Sequence, residues 1–284
     1  MTPITKGWSK DKKFKVTRDG KDFLLRISSA DRYEHRKLLF GLMQQVAELG
    51  VPICDAVKFS HDKDGVHMLQ RWIDGEDLED VLPTLSETEQ YALGVKTGEY
   101  LQKMHTIPAP ETRKDWEAQF NAKIDWILAQ YGDCGLRFDG DELVMAYIEE
   151  NRGLLKNRPQ CFQHGDYHIG NMMMENGELV IIDFDRYSFG DPWQEFNRTV
   201  WSAKASPHFA TGQLREYFEG EPPMDFFRLL ALYICGNALA AIPWAIPFGQ
   251  ADVDVMINQS QDVLAWYNNM KNPVPTWYLR EFCV

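Results

Sequence analysis

The first quarter of the chain alternates apolar and polar residues in short runs, which predicts β-strands around a single helix. Asp19-Gly20 lies between two such runs and is typical of a two-residue hairpin turn. Apolar residues at helical spacing predict a helix over Arg32–Leu49, which Gly50 ends. Residues 4–27 are predicted to be β structure, with strands at Phe14–Arg18 and Lys21–Ile27. Two more strands are predicted after the helix, at Val51–Phe59 and Val66–Trp72.

The pattern changes to a helical one after Asp74-Gly75. Ser86 and Glu89 have the spacing of a capping box, which predicts a helix that runs to about His105. Further helices are predicted over Asp115–Tyr131, Asp141–Asn151, Trp193–Lys204, Met224–Ala241 and Ala251–Met270. We expect an α+β chain of two parts, a β-rich part over residues 1–74 and a mainly helical part over residues 75–284.

A hairpin in the middle of the helical part brings polar residues together. Asn176-Gly177 predicts a tight turn between strands at Asn171–Met174 and Leu179–Ile182. Because a hairpin places its two ends side by side, Asp166 and Asn171 are expected beside Asp183. These residues supply a general base and two oxygen ligands for a hard cation such as Mg²⁺. Phosphoryl transfer needs such a group, because positioning and charge neutralisation do most of the catalysis.

Composition and charge narrow the class of protein. The chain has 284 residues and a net charge of −12, and 44% of its residues are hydrophobic. Residues 1–40 nevertheless carry a net charge of +6, which leaves −18 on the rest. A basic N-terminal part suits an anionic ligand such as nucleotide phosphates, and an acidic remainder disfavours nucleic acid. We expect no membrane span, because no run of about 18 apolar residues is present, and no signal peptide, because the N-terminus has no apolar core. The five scattered cysteines suggest reduced thiols and therefore a cytoplasmic protein.

His164, Asp166 and His168 also have the alternating spacing that gathers metal ligands on one face of a strand. Gly165 favours a loop at this point, and no cysteine or further histidine follows closely. A zinc site is therefore the weaker interpretation.

The segment H-G-D-Y-H-I-G-N at 164–171, followed by I-I-D-F-D at 181–185, resembles the motifs of the aminoglycoside phosphotransferase and choline kinase family. The resemblance extends over nearly the whole chain and implies a two-lobed protein-kinase-like fold. It implies that Asp166 orients the acceptor hydroxyl as a general base, and that Asn171 and Asp183 hold Mg²⁺ on the ATP phosphates. His164 would brace the loop, and Asp185 is expected to fix the loop rather than to act in catalysis.

The residues that would bind the nucleotide resemble the family less closely. Arg26 stands where the family usually has a phosphate-binding lysine, and Leu24 on the same strand face would cover adenine. Glu34 would be the acidic partner of Arg26, with a solvated helix-surface charge as the alternative. Ser9 in the turn Gly7-Trp8-Ser9-Lys10 would contact phosphate. Backbone groups of Arg71 and Ile73, in the segment before Asp74-Gly75, would bond adenine.

The acceptor is expected to be a small molecule rather than a protein. Gly190-Asp191-Pro192 follows the D-F-D motif almost at once, which leaves little room for the long activation segment of protein kinases. A cationic acceptor would suit carboxylates and aromatic rings. Candidates for its binding site are Asp191, Glu195, Glu219, Glu221, Asp225, Trp193, Trp201 and Trp244.

The sequence therefore predicts an ATP- and Mg²⁺-dependent O-kinase whose acceptor is an aminoglycoside. Choline, an amino sugar or another antibiotic is the alternative acceptor, and GTP the alternative donor. A nucleotide-binding pseudokinase is a rival of another class, which Arg26 and the glycine-poor phosphate turn favour. The three motif residues Asp166, Asn171 and Asp183 count against that rival.

Overall fold

The computed structural model of the protein describes residues 1–4 and 11–282. The strands are β1 Thr2–Ile4, β2 Lys12–Arg18, β3 Lys21–Ser28, β4 Ala56–Asp62, β5 Gly65–Arg71, β6 Glu76–Asp77, β7 Cys161–Gln163, β8 Met172–Glu175, β9 Glu178–Ile181 and β10 Ser188–Gly190. The α-helices are α1 Tyr33–Glu48, α2 Leu78–Val81, α3 Glu87–Met104, α4 Trp116–Asp133, α5 Asp141–Asn151, α6 Thr199–Ala205, α7 Pro207–Tyr217, α8 Met224–Ala245 and α9 Gln250–Trp266. The predicted α+β class, with a β-sheet region first and a helical region after it, is confirmed.

The chain divides into two compact units. Unit 1 comprises Met1–Thr84 and His164–Tyr187, and unit 2 comprises Leu85–Gln163 and Ser188–Val284. The segment His164–Tyr187 belongs to unit 1 because β8 pairs with β6, and Ile181 forms a bridge with Ile53. The assignment of separate roles to residues 1–74 and 75–284 stays a prediction.

Unit 1 contains an antiparallel sheet of five strands in the order β1-β2-β3-β5-β4. The predicted hairpin between β2 and β3 is present, since Asp19 and Gly20 have φ of 51° and 73°, and such positive values suit a tight turn. Helix α1 contributes the buried side chains Leu39, Leu42, Met43 and Val46 to the core of this unit.

One predicted strand begins later than expected. Residues 51–55 lie outside β4, and in this stretch Ile53 makes only a single bridge to Ile181. The apolar residues Val51, Ile53 and Cys54 are nevertheless buried, which explains why the pattern resembled that of a strand.

Unit 2 is helical and contains one pair of helices in very close contact. A Cβ atom on Gly94 of α3 would lie 2.0 Å from the carbonyl oxygen of Phe209 in α7, and one on Gly212 would lie 2.4 Å from that of Tyr91. The predicted capping box of α3 is present, because Ser86 and Glu89 bond each other's backbone N–H groups. Helix α7 had not been predicted.

Helix α8 forms the centre of unit 2, packed with α4, α5 and α9 around Phe120, Tyr233 and Leu239. By length and composition alone, Met224–Phe248 qualifies as a candidate membrane span, with a mean hydropathy of 1.8. This evidence is weak, because 67% of that window is buried, as in many core helices. No disulfide joins the four cysteines of the described residues.

Candidate active site

The open end of the β8–β9 hairpin brings Asn171 and Asp183 together in unit 1. Met172 pairs with Ile181, and the N–H of Ile182 donates to the carbonyl of Asn171 at 3.0 Å. The turn residues Asn176 and Gly177 have φ of 53° and 81°, as the sequence predicted for a tight turn. The two proposed metal ligands therefore lie at the ends of adjacent, paired strands.

Asp166 is held directly by Asn171. The side-chain Nδ2 of Asn171 donates to the backbone carbonyl of Asp166 at 2.8 Å and to its carboxylate at 3.3 Å. Because the amide nitrogen is engaged in this way, the amide oxygen is the atom of Asn171 that suits a hard cation. The Asp166 carboxylate also lies 3.7 Å from Nε of Arg186 and 3.8 Å from Nε2 of His168.

His164 braces the loop that carries Asp166. The buried ring accepts from the N–H of Asp166 on Nδ1 at 3.3 Å, and its Nε2 lies 2.9 Å from the carbonyl of Ile182. This pattern requires the proton on Nε2. Gly165 next to it has a φ of +83°, and a Cβ there would lie 2.0 Å from the carbonyl oxygen of Arg186. Both ring nitrogens of His164 are engaged by backbone groups, which disfavours the zinc interpretation.

Asp183 has an unusual backbone conformation. Its φ and ψ are 60° and 62°, a left-handed conformation that costs a residue other than glycine about 1–2 kcal/mol. Its side chain keeps 39% of its surface exposed, although Asp183 accepts a hydrogen bond of 3.0 Å from Arg26. The strain and the exposure are consistent with a carboxylate that serves a ligand rather than the core.

Arg26 is buried on β3 among three carboxylates. Besides Asp183 at 3.0 Å, it contacts Asp185 at 3.3 Å and Asp11 at 3.8 Å. Burial opposes the charge of the guanidinium, but the three carboxylates outweigh this effect and raise the pKa of Arg26. Arg26 is therefore not a solvent-facing residue of the strand, since it is only 5% exposed.

The residue of α1 that joins this group of ion pairs is not the expected one. Glu34 lies on the exposed side of α1, and the carboxylates beside Arg26 come from other elements, so the expected Glu34–Arg26 pair is wrong. The charged residue that α1 buries is Arg36, which pairs with Asp11 and Asp185 and donates to Oγ of Ser28 at 2.8 Å.

Arg36 could have been found in the sequence. It lies three residues before Leu39 and therefore on the apolar face of α1, where a charge needs buried partners. Burial tends to raise the pKa of its partner Asp185, but Arg26, Arg36 and Arg32 lower it below the ordinary value. Asp185 thus fixes this part of unit 1, as expected from the sequence.

The structure describes three of the four other residues that the sequence predicts to contact the nucleotide. Leu24 pairs across the strands with Gln70 and lies on the same sheet face as Arg26. The N–H of Arg71 donates to the carbonyl of Asp55 at 2.9 Å, so a bond from this residue to adenine would have to use its carbonyl. Ile73 follows β5 with a buried side chain. Ser9 lies outside the described residues.

Two of the acceptor candidates in unit 2 are buried. Asp191 is fully buried, accepts two bonds from Arg158 at 2.8 and 3.0 Å, and accepts one from the Tyr233 hydroxyl at 2.6 Å. Glu195 is 1% exposed. These contacts give Asp191 a structural role, which removes it from the candidates for the acceptor site. Of the aromatic candidates, Trp244 keeps 37% of its surface exposed.

The family model described as "Phosphotransferase enzyme family" matches residues 1–227 of the chain. The chain belongs to this family. A search of curated proteins finds no match.

Solved structures show the same kinase-like fold. An aminoglycoside phosphotransferase APH(4)-Ia in a ternary complex with AMP-PNP and hygromycin B superposes with a TM-score of 0.69 at 16% identity, over 93% of this chain and 92% of that one. A choline/ethanolamine kinase family protein from Mesorhizobium loti gives 0.67 at 17% identity, over 96% and 91%. The amicoumacin kinase hAmiN, bound to AMP-PNP, Ca²⁺ and Ami, gives 0.65 at 13% identity, over 96% and 90%.

Proposed function

We propose that the chain is an ATP- and Mg²⁺-dependent kinase that transfers the γ-phosphate to a hydroxyl group of a small molecule. The observation that carries this proposal is the grouping of Asp166, Asn171 and Asp183 at the open end of one hairpin, in a chain of a phosphotransferase family. A pseudokinase that only binds nucleotide would need no base, so this grouping favours the enzyme over that rival.

Asp166 is the residue that orients the acceptor hydroxyl and accepts its proton. Its backbone is held by His164 and Asn171, so the carboxylate can be aimed without reorganisation during the reaction. The guanidinium of Arg186 lies 3.7 Å from this carboxylate and attracts its negative charge. The acceptor therefore meets a carboxylate beside an arginine at its reacting end.

The metal ligands are the carboxylate of Asp183 and the amide oxygen of Asn171. Both are hard oxygen donors, and the partly exposed Asp183 carboxylate suits a site that receives a cation with its nucleotide. Bound Mg²⁺ would supply neutralisation of the charge on the phosphate oxygens. We expect Asp183 to exchange its bond to Arg26 for the metal, which leaves Arg26 to face the phosphates.

ATP is the expected donor, with GTP as the alternative. Two structural neighbours were solved with AMP-PNP, an analogue of ATP, which supports ATP for a chain of the same fold. Leu24 on the Arg26 face of the sheet gives the base an apolar surface.

The acceptor that we propose first is an aminoglycoside. The net charge of −18 beyond residue 40 favours a polycation, and a neighbouring aminoglycoside phosphotransferase was solved with hygromycin B. Choline or an amino sugar is the alternative, supported by the choline/ethanolamine kinase neighbour.

The test is ADP release by the purified protein with a panel of acceptors, run with ATP and GTP side by side. An aminoglycoside should raise the rate of ADP release above the acceptor-free rate, and EDTA should abolish the increase. If only choline or an amino sugar raises the rate, the aminoglycoside part is wrong and the kinase part stands. If ATP binds but no acceptor raises the rate of ADP release, the result favours the pseudokinase alternative.

A further inference from the structure

The sheet face that carries Arg26 also carries a lysine directly opposite it. In the antiparallel pairing of β2 with β3, Lys13 is the partner of Arg26. Side chains of directly opposed residues lie on the same face, with Cβ atoms about 4.5–5.5 Å apart. The register therefore places a second cation next to the arginine that bonds Asp183.

The charges around Lys13 agree with this register. Burial lowers the pKa of Lys13, and the nearby Arg26 lowers it further, while Asp183, Asp185 and Asp11 oppose the shift. Lys13 is therefore surrounded by the same charged residues as Arg26, where a bound anion would be attracted by both cations.

The two cations differ in burial. Arg26 is 5% exposed, whereas Lys13 is half-buried at the start of β2. Its flexible stem and compact ammonium suit a ligand that enters from outside the protein. A nucleotide triphosphate brings several negative charges, more than one arginine surrounded by carboxylates can balance.

We propose that Lys13 is a second phosphate-binding residue, which contacts the phosphate chain of the nucleotide beside Arg26. This inference rests on the proposed function, since it assumes that the nucleotide lies along the Leu24–Arg26 face. Strand β2 would then also contact the nucleotide phosphates, a contact that the sequence predicted only for β3 and for the turn at Ser9.

The experiment compares Lys13→Met with Lys12→Met by titration calorimetry with MgATP and with adenosine. Lys12 is the matched control, because it pairs with Ile27, lies on the opposite face of the same strand and is exposed. Lys13→Met should weaken MgATP binding about tenfold or more, as expected for the loss of a charged hydrogen bond. Adenosine binding should not change, because it has no phosphate, and Lys13→Arg should retain most of the MgATP affinity.

Thermal unfolding of each variant verifies that the fold is intact. Equal MgATP affinity of the two methionine variants would overturn the inference and leave the proposed function standing. An equal loss for MgATP and adenosine would also overturn it, since the effect would then not arise at the phosphates. Absence of MgATP binding by the unchanged protein would overturn both proposals.

Discussion

Each unit of this protein buries carboxylates against arginines, but the two groups are built differently. In unit 2, Asp191 is fully buried, and its carboxylate accepts from Arg158, the Tyr233 hydroxyl and the N–H of Trp193. In unit 1, Arg26 bonds Asp183, whose side chain keeps 39% of its surface exposed. The carboxylate of the first group is enclosed, whereas the second group includes a carboxylate that remains accessible.

The difference shows how the same pair of side chains can serve structure or chemistry. A closed ion pair contributes little net stability over a hydrophobic replacement, but it is costly to break. The exposed carboxylate and left-handed backbone of Asp183 are the features expected of a ligand-binding position, where local strain is often found. We therefore assign a structural role to Asp191 and propose a ligand-binding role for Asp183.

The largest effect is expected from removal of the closed carboxylate. Asp191→Ala should reduce the free energy of unfolding by about 3–5 kcal/mol, because it leaves Arg158 and the Tyr233 hydroxyl without their buried partner. Chemical denaturation followed by circular dichroism measures the change. Asp262→Ala is the control, since Asp262 pairs with Lys204 at the surface and should cost less than about 1 kcal/mol. Equal effects of the two substitutions would contradict the structural role of Asp191.

A somewhat smaller effect is expected from the buried cation of unit 1. Arg36→Met should cost about 3 kcal/mol, because Asp11 and Asp185 lose a buried partner while Arg26 and Arg32 remain beside them. The matched substitution Arg32→Met should cost less than about 1 kcal/mol, since Arg32 is 33% exposed and lies 3.8 Å or more from the carboxylates of Asp11 and Asp185. If denaturation curves rank the two variants in the reverse order, Arg36 is not the residue that holds this group together.

Local features of both regions were predictable from the sequence. The hairpins at Asp19-Gly20 and Asn176-Gly177 and the capping box at Ser86 depend on residues close together in the chain, and each is present. The position of Asp166 beside Asn171 follows from the second hairpin and the short loop before it. These features need no knowledge of distant contacts.

The partners across larger separations were not predictable in the same way. Arg26 and Asp183 are 157 residues apart, and the choice of Arg36 over Glu34 depends on which face of α1 is buried. Asp191 was a candidate for the acceptor site because a carboxylate after a D-F-D motif gives no sign that Arg158 will cover it. Helix α7 was not predicted, because the close contact of its Gly212 with α3 is a tertiary feature that the local pattern does not show.

The most direct test of the account is the separation of nucleotide binding from phosphoryl transfer at Asp166. Asp166→Ala should bind MgATP nearly as tightly as the unchanged protein but transfer phosphate to the acceptor about 10² times more slowly, as expected for loss of a general base. Single-turnover transfer and calorimetric titration on the same preparation measure the two quantities. Transfer at the full rate by Asp166→Ala would contradict the account.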